Sequence, residues 1–366
     1  MKNMSQSIVP RNGNVKALAL LFAVVLWVGL VATMAWADFY DSPTNYVAGI
    51  SDVFVTNYAS PSLSILNGVT GSLIKKITLP TGSKPAGIAF SPNYRSAYVT
   101  DASKGRLFYL VGDHLFRAIW TPGTSNTRIA IHPSGHFAYI TSSLGILVLD
   151  TNWYSLTFQT VKAKISIDFP GSIIFTPDRK RAYITIDGNY GSISQVKMID
   201  TATHTVVKTI QLPVPSAPQG VAATPDGKRV YVANWIAQNV SVIDSDPSSP
   251  TYNTITKVIS VAGNARGIAL SPSGNLAYVT LESNGVDVIV TTPSSSAFHT
   301  VIGHVSGVGF AYGAGTSLDG RFIYVTDAAN SKLYVIDSEP LSVTFNSNIT
   351  SFTVGTTPVG IAVRPH

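Results

Sequence analysis

The chain has 366 residues, 45% hydrophobic and only 12% charged, which excludes an intrinsically disordered polymer and leaves ample material for a core. The formal charge is +6. Lys2, Arg11 and Lys16 stand in the acid-free first 37 residues, so about +3 remains for the rest, too little to argue for a nucleic-acid partner. There is no cysteine, which excludes disulfides, thiolate metal sites, a c-type haem attachment motif and a lipobox anchor.

Residues 1–37 have the pattern of an export leader. Three basic residues precede an apolar run from Ala17 to Val31, and Ala35-Trp36-Ala37 places small residues where a signal peptidase reads them. Two outcomes stay open. The leader is cleaved before Asp38, or it stays as an N-terminal anchor, since Ala17 to Ala37 is 21 residues and long enough to span a bilayer. Either way the positive-inside bias puts the remainder outside the cytoplasm, at the cell surface, secreted or in the periplasm. Only residues 17–37, if retained, would touch a membrane. Residues 38–49 read as a lead-in.

From residue 50 onward one phrase recurs. Its first half reads Gly87-Ile-Ala-Phe-Ser-Pro92, Gly220-Val-Ala-Ala-Thr-Pro225 and Gly267-Ile-Ala-Leu-Ser-Pro272, with weaker copies starting at Arg128, Ser172 and Gly313. Its second half starts at Tyr98, Tyr139, Tyr183, Tyr231, Tyr278 and Tyr324, each 11 residues after the first position. Apolar strand, Pro-Asp-Gly or Pro-Ser-Gly turn and second strand make a hairpin. A third strand ends in Asp150, Asp200, Asp244 and Asp337, and a fourth follows, as in Val207–Leu212. Four strands in a period of 41 to 48 residues predict a propeller blade. Phe54-Val-Thr-Asn57 is a second strand without a first, and Gly360-Ile-Ala-Val-Arg-Pro365 is a first strand without a second. Joined, they give a seventh blade. The prediction is all-β: one seven-bladed propeller of four-stranded blades over residues 50–366, closed by its C-terminal strand.

These residues resemble the YVTN family of β-propeller repeats, most closely at 218–244. The resemblance implies a surface or periplasmic repeat protein. It does not assign a task, because related propellers include lactonases and parts of electron-transfer enzymes.

Ligands of propellers usually bind on the face that carries the loops after the second strands. Here that face should hold Asn57, Asp101, Ser142, Asp187, Asn234 and Asp327, with Lys84, Arg128, Gln219 and Arg266 near the starts of the first strands and Trp235 as an exposed aromatic platform. Arg128, Arg266, Trp235, Asn234, Asp101 and Asp327 are the candidate ligand set at the channel mouth. A competing reading is open for the Asn and Asp residues, which close turns through backbone hydrogen bonds. The repeat tyrosines and the Asp residues that end third strands read as structural. Arg128 replaces the glycine of the repeat, and a departure from a repeat is where function would be grafted. His132 and His136, two histidines across a turn, are too few for a metal site.

No hydrolase, nucleotide-binding or metalloprotease motif occurs, and no catalytic residue, metal or cofactor is assigned. The sequons at Asn239 and Asn348 are near chance frequency in a chain this rich in Ser and Thr. Three functional readings follow. The first is a noncatalytic module binding a protein or other surface macromolecule, including a second copy of itself. The second is a lactonase- or lyase-like enzyme, for which Arg128, Arg266 and Glu282 come nearest to a converging set. The third is an accessory to a periplasmic redox system.

Overall fold

The computed structural model describes residues 51–188 and 192–365. The expected leader and lead-in, and the side chain of Asp187, lie outside the described residues. Seven four-stranded antiparallel sheets form the described chain, as expected from the repeat. Blade 1 combines Pro358–Pro365 with Ser51–Asn57, Ser62–Asn67 and Leu73–Thr78; the other six are continuous in sequence. Their inner strands are Pro85–Phe90 in blade 2, Ile129–Ile131 in blade 3, Pro170–Phe175 in blade 4, Pro218–Ala223 in blade 5, Asn264–Leu270 in blade 6 and Ala311–Thr316 in blade 7. Neighbouring inner strands touch in that order, and Ala311–Thr316 meets Pro358–Pro365, which meets Pro85–Phe90, so the ring is closed. Closure pairs Ser51 with Pro365 and Phe54 with Ala362, and covers the inner edge of Ser51–Asn57 with the C-terminal strand.

Alternation along each strand sends one row of side chains to each neighbouring blade. Seven apolar clusters result, each spanning two adjacent blades. The one between blades 5 and 6 joins Val240 and Val242 to Val279 and Leu281; the closing one joins Val53, Val55 and Leu66 to Tyr324, Leu333 and Val335. Each fully buried aliphatic side chain contributes roughly 1.5–3 kcal/mol.

The six repeat tyrosines are fully buried, and each hydroxyl reaches the loop between the third and fourth strands of the next blade. Tyr139 meets Nδ1 of His204 at 2.8 Å, Tyr183 donates to Asn253 at 2.7 Å, and Tyr231 meets Nε2 of His299 at 3.0 Å. Tyr278 donates to Asn346 at 3.2 Å and Tyr324 to the Gly68 carbonyl at 3.1 Å. His204, Asn253, His299 and Asn346 all have positive φ, so each clamp grips a residue in the left-handed region.

A second staple surrounds the channel. The threonine two residues after the tyrosine accepts the N–H of the repeat glycine: Gly87 to Thr100 at 2.7 Å, Gly267 to Thr280 at 2.7 Å, Gly313 to Thr326 at 2.9 Å. Several of these hydroxyls donate onward to the next blade, Thr56 to the Ala86 carbonyl at 2.6 Å and Thr280 to the Tyr312 carbonyl at 2.8 Å. The glycine is required by this closeness. A Cβ at Gly360 would stand 2.0 Å from the Ala86 carbonyl oxygen.

Candidate functional site

The mouth of the channel is built by local irregularity in the inner strands. In blades 6 and 7 the pairing register shifts between Ala265 and Gly267 and between Ala311 and Ala314. Bulges of this kind re-aim side chains at barrel rims. The residues just before the repeat glycines there are Arg266 and Tyr312. In blade 3 the glycine position itself is Arg128, whose N–H still donates to Thr141 Oγ1 at 2.9 Å.

These three side chains converge. Arg128 Nη2 donates to the Tyr312 hydroxyl at 3.3 Å, and its guanidinium lies 5.7 Å from the Tyr312 ring centroid. Blades 3 and 7 are not neighbours in the ring, so this contact crosses the channel. Arg266 lies 4.7 Å from the same ring, and 5.7 Å from the rings of both Trp235 and Phe310. Such contacts hold a guanidinium without neutralising it. Glu282 Oε2 accepts from Trp235 Nε1 at 2.6 Å and from Arg266 Nε at 3.1 Å. Arg128 has no carboxylate at ion-pair distance among the described side chains. The cluster Arg128, Arg266 and Glu282 therefore carries one net positive charge.

Burial pushes the Tyr312 hydroxyl up, but the charges and hydrogen bonds of Arg128 and Arg266 outweigh it and hold this phenol below its ordinary range. The repeat tyrosines show the opposite: Tyr231 and Tyr278 are raised, mainly by burial.

The structure divides the candidate ligand set in two. Arg128, Arg266 and Trp235 meet at the mouth, with Trp235 half-buried and tied through its N–H rather than standing as an exposed platform. Asp101, Asn234 and Asp327 are wholly buried, with hydrogen bonds that close turns. Asp101 accepts from the Lys84 and Ser103 N–H groups and from Arg106 Nε at 2.6 Å; burial raises its pKa, and these bonds lower it further than burial raises it. Asp327 accepts from the N–H groups of Gly309, Phe310 and Asn330, and Asn234 donates to Asn239 and Ser241. Tyr312 and Phe310 were not among the expected site residues. The signal lay one position before the repeat glycine, in the column Ala86, Thr127, Gly171, Gln219, Arg266, Tyr312 and Val359, where an aromatic residue and a cation stand out.

His132 is buried between Ser134 Oγ at 2.7 Å and the Arg179 carbonyl at 2.8 Å, stacked on Phe137. No cluster of three metal-ligating side chains exists among the described residues.

The fold defines a class, the seven-bladed propeller, and solved structures share it. A putative 6-phosphogluconolactonase from Bacteroides fragilis superposes with a TM-score of 0.71 at 15% identity, covering 88% of this chain and 99% of that one. The periplasmic gluconolactonase of Pseudomonas aeruginosa gives 0.70 at 17%, covering 86% and 99%. A functionally unknown protein from Desulfotomaculum acetoxidans gives 0.70 at 16%, covering 86% and 99%. At these identities the likeness is one of fold. No protein-family model and no curated protein matches the chain.

Proposed function

We propose that this is an exported, noncatalytic propeller of the YVTN-repeat type that binds a surface macromolecule through a carboxylate held at the channel mouth. The observation that carries this reading is the contact of Arg128 with Tyr312 across the channel. Arg128 is a half-buried cation without a carboxylate partner among the described side chains, facing a phenol donor, and an incoming carboxylate satisfies both. A charged hydrogen bond of this kind contributes about 1.5–3 kcal/mol. Glu282 is occupied by two donors, which fixes Arg266 and Trp235 as a wall beside the entering group.

A calorimetric titration with gluconate and citrate as carboxylate probes tests it. Saturable binding by the wild type that is lost in Arg128→Met and Tyr312→Phe supports the reading. No heat and no thermal stabilisation with either probe would sink it.

One observation favours a second reading. A phenol held below its ordinary range is a candidate general base, and gluconolactonases share the fold. Turnover of glucono-δ-lactone above its spontaneous rate, abolished in Tyr312→Phe, would replace binding by lactone hydrolysis.

A further inference from the structure

At the end of the ring opposite the channel mouth, neighbouring blades meet through a recurring contact. The first residue of a second strand packs against the loop that joins the third and fourth strands of the next blade. Between blades 3 and 4, Phe137 meets His204 edge-on, with centroids 4.9 Å apart. Between blades 4 and 5 the guanidinium of Arg181 lies 5.5 Å from the Tyr252 ring, and between blades 5 and 6 that of Arg229 lies 5.1 Å from the Phe298 ring. Arg181 also donates from Nη1 to the Ser245 carbonyl at 2.6 Å and from Nη2 to Asp178, in its own turn, at 2.6 Å.

The junction of blades 6 and 7 keeps the receiving half of this contact and loses the giving half. Phe345 is the copy of Tyr252 and Phe298: each ring directly precedes the residue gripped by a repeat tyrosine, Asn346, Asn253 or His299. Ser338 is the copy of Ser245, and their hydroxyls donate alike to the carbonyls of Gly320 at 2.7 Å and Gly227 at 2.8 Å. The arginine and its aspartate are both gone, replaced by Leu276 and Ser273. Leucine is shorter than arginine and carries no charge. A cavity of about 410 Å³ lies between Leu276 and Phe345, a volume in the range of small-ligand sites. Phe345 has no ring or cation contact among the described residues.

Charge also differs here. Asp319 and Glu339, both from blade 7, line this cavity. Asp319 accepts from Ser317 Oγ at 2.6 Å and from the Arg321 N–H at 3.1 Å. The Arg321 guanidinium lies 5.5 Å from the Phe322 ring, and neither carboxylate has a cation at ion-pair distance among the described side chains. The corresponding positions across the junction of blades 5 and 6 are the neutral Ser273 and Thr292. The cavity therefore offers a bare ring, a backbone carbonyl and two carboxylates where its sister junctions hold an arginine.

We infer that this cavity binds a guanidinium group from outside the chain, stacked on Phe345, donating to the Ser338 carbonyl and neutralised by Glu339 and Asp319. A planar guanidinium suits the place better than an ammonium because it stacks and donates at once. Its carrier is a free guanidino compound or an arginine side chain of a peptide. The site is separate from the mouth and does not depend on carboxylate binding there.

The repeat supplies its own test. Ethylguanidinium, ethylammonium and the peptide Gly-Arg-Gly are titrated calorimetrically into the full chain. Saturable binding of ethylguanidinium, with ethylammonium at least about tenfold weaker, is expected, and Glu339→Gln should weaken it about tenfold. Leu276→Arg with Ser273→Asp restores the sister arrangement, so it should melt higher than the wild type and bind no probe. Peptide binding tighter than that of ethylguanidinium assigns the carrier to a protein partner; equal affinities assign it to a small molecule. Absence of saturable binding by either guanidinium probe overturns the inference. Equal binding of ethylammonium overturns it too, as does binding that Glu339→Gln leaves unchanged; that variant removes no ion pair of the folded chain, so it reads the site even where the double variant fails to fold.

Discussion

Arg128 and Tyr312 are 184 residues apart and sit on blades that are not neighbours, yet Nη2 of one lies 3.3 Å from the hydroxyl of the other. The contact bridges the channel where its walls approach from opposite sides. Its electrostatic consequence is measurable. Tyr312 ionises earlier than an ordinary tyrosine, so the difference between the absorbance titrations of wild type and Tyr312→Phe is a single early phenol. Arg128→Met should move that ionisation to higher pH. An unchanged titration in Arg128→Met would separate the two residues.

The tyrosine clamps predict a cost for losing one hydroxyl. In Tyr183→Phe the ring remains and the side-chain amide oxygen of Asn253 loses its donor. The expected destabilisation is about 1–3 kcal/mol, read as a lower midpoint in denaturant. Tyr94, at a surface turn, should tolerate the same change.

Stability should fall at both ends of the pH scale, for separate reasons. Burial, then the charges of Arg229 and Lys257, lower the pKa of His299 to about 4, and burial likewise lowers that of His204. The unfolded chain therefore binds protons at these sites first, and stability declines as pH falls below about 6.5. The repeat tyrosines are raised, so above about 10 the unfolded chain releases protons that the folded chain retains, and stability declines again. Thermal melting across pH should show both limbs. His299→Gln should flatten the acid one.

Asp101 and Arg106 form a buried pair, with side chains 0% and 7% exposed. Removing one partner leaves an uncompensated charge, and Asp101→Ala should cost about 3–5 kcal/mol. The comparison is Lys75→Ala, which breaks a half-exposed pair with Asp113 and should cost less than about 1 kcal/mol.

The repeat made the blades legible in the sequence because its period is local. The tyrosine recurs 11 residues after the opening position in six copies, and the strand ends follow from turns such as Pro225-Asp226-Gly227. Blade 1 was legible because its two halves are complementary fragments of the same phrase. The site was only partly legible. Arg128 stood out as a departure from the repeat and Arg266 as a cation near the start of a first strand, but their convergence depends on which blades face each other across the ring. Tyr312 was hidden because its neighbours in space come from blades 3 and 6. Asp101, Asn234 and Asp327 mark the mouth in sequence. In space Asp101 and Asp327 accept from the N–H groups of nearby turns, and Asn234 donates to the side chains of Asn239 and Ser241, so all three are taken up within their own blades.

Thr56 and Gly360 are hydrogen-bonded at 2.8 Å across 304 residues of chain. The strand that completes blade 1 is thus the last of the ring in chain order, while its partner strand is the first. Until that strand arrives, Ser51–Asn57 presents a bare edge and every later blade waits on an unsealed circle. Such long-range closure makes assembly slow relative to local hairpin formation. It also makes completeness a condition of the finished shape: a chain stopped short of residue 358 lacks the strand that seals the ring, and leaves Ser51–Asn57 as an edge open to pairing with another chain.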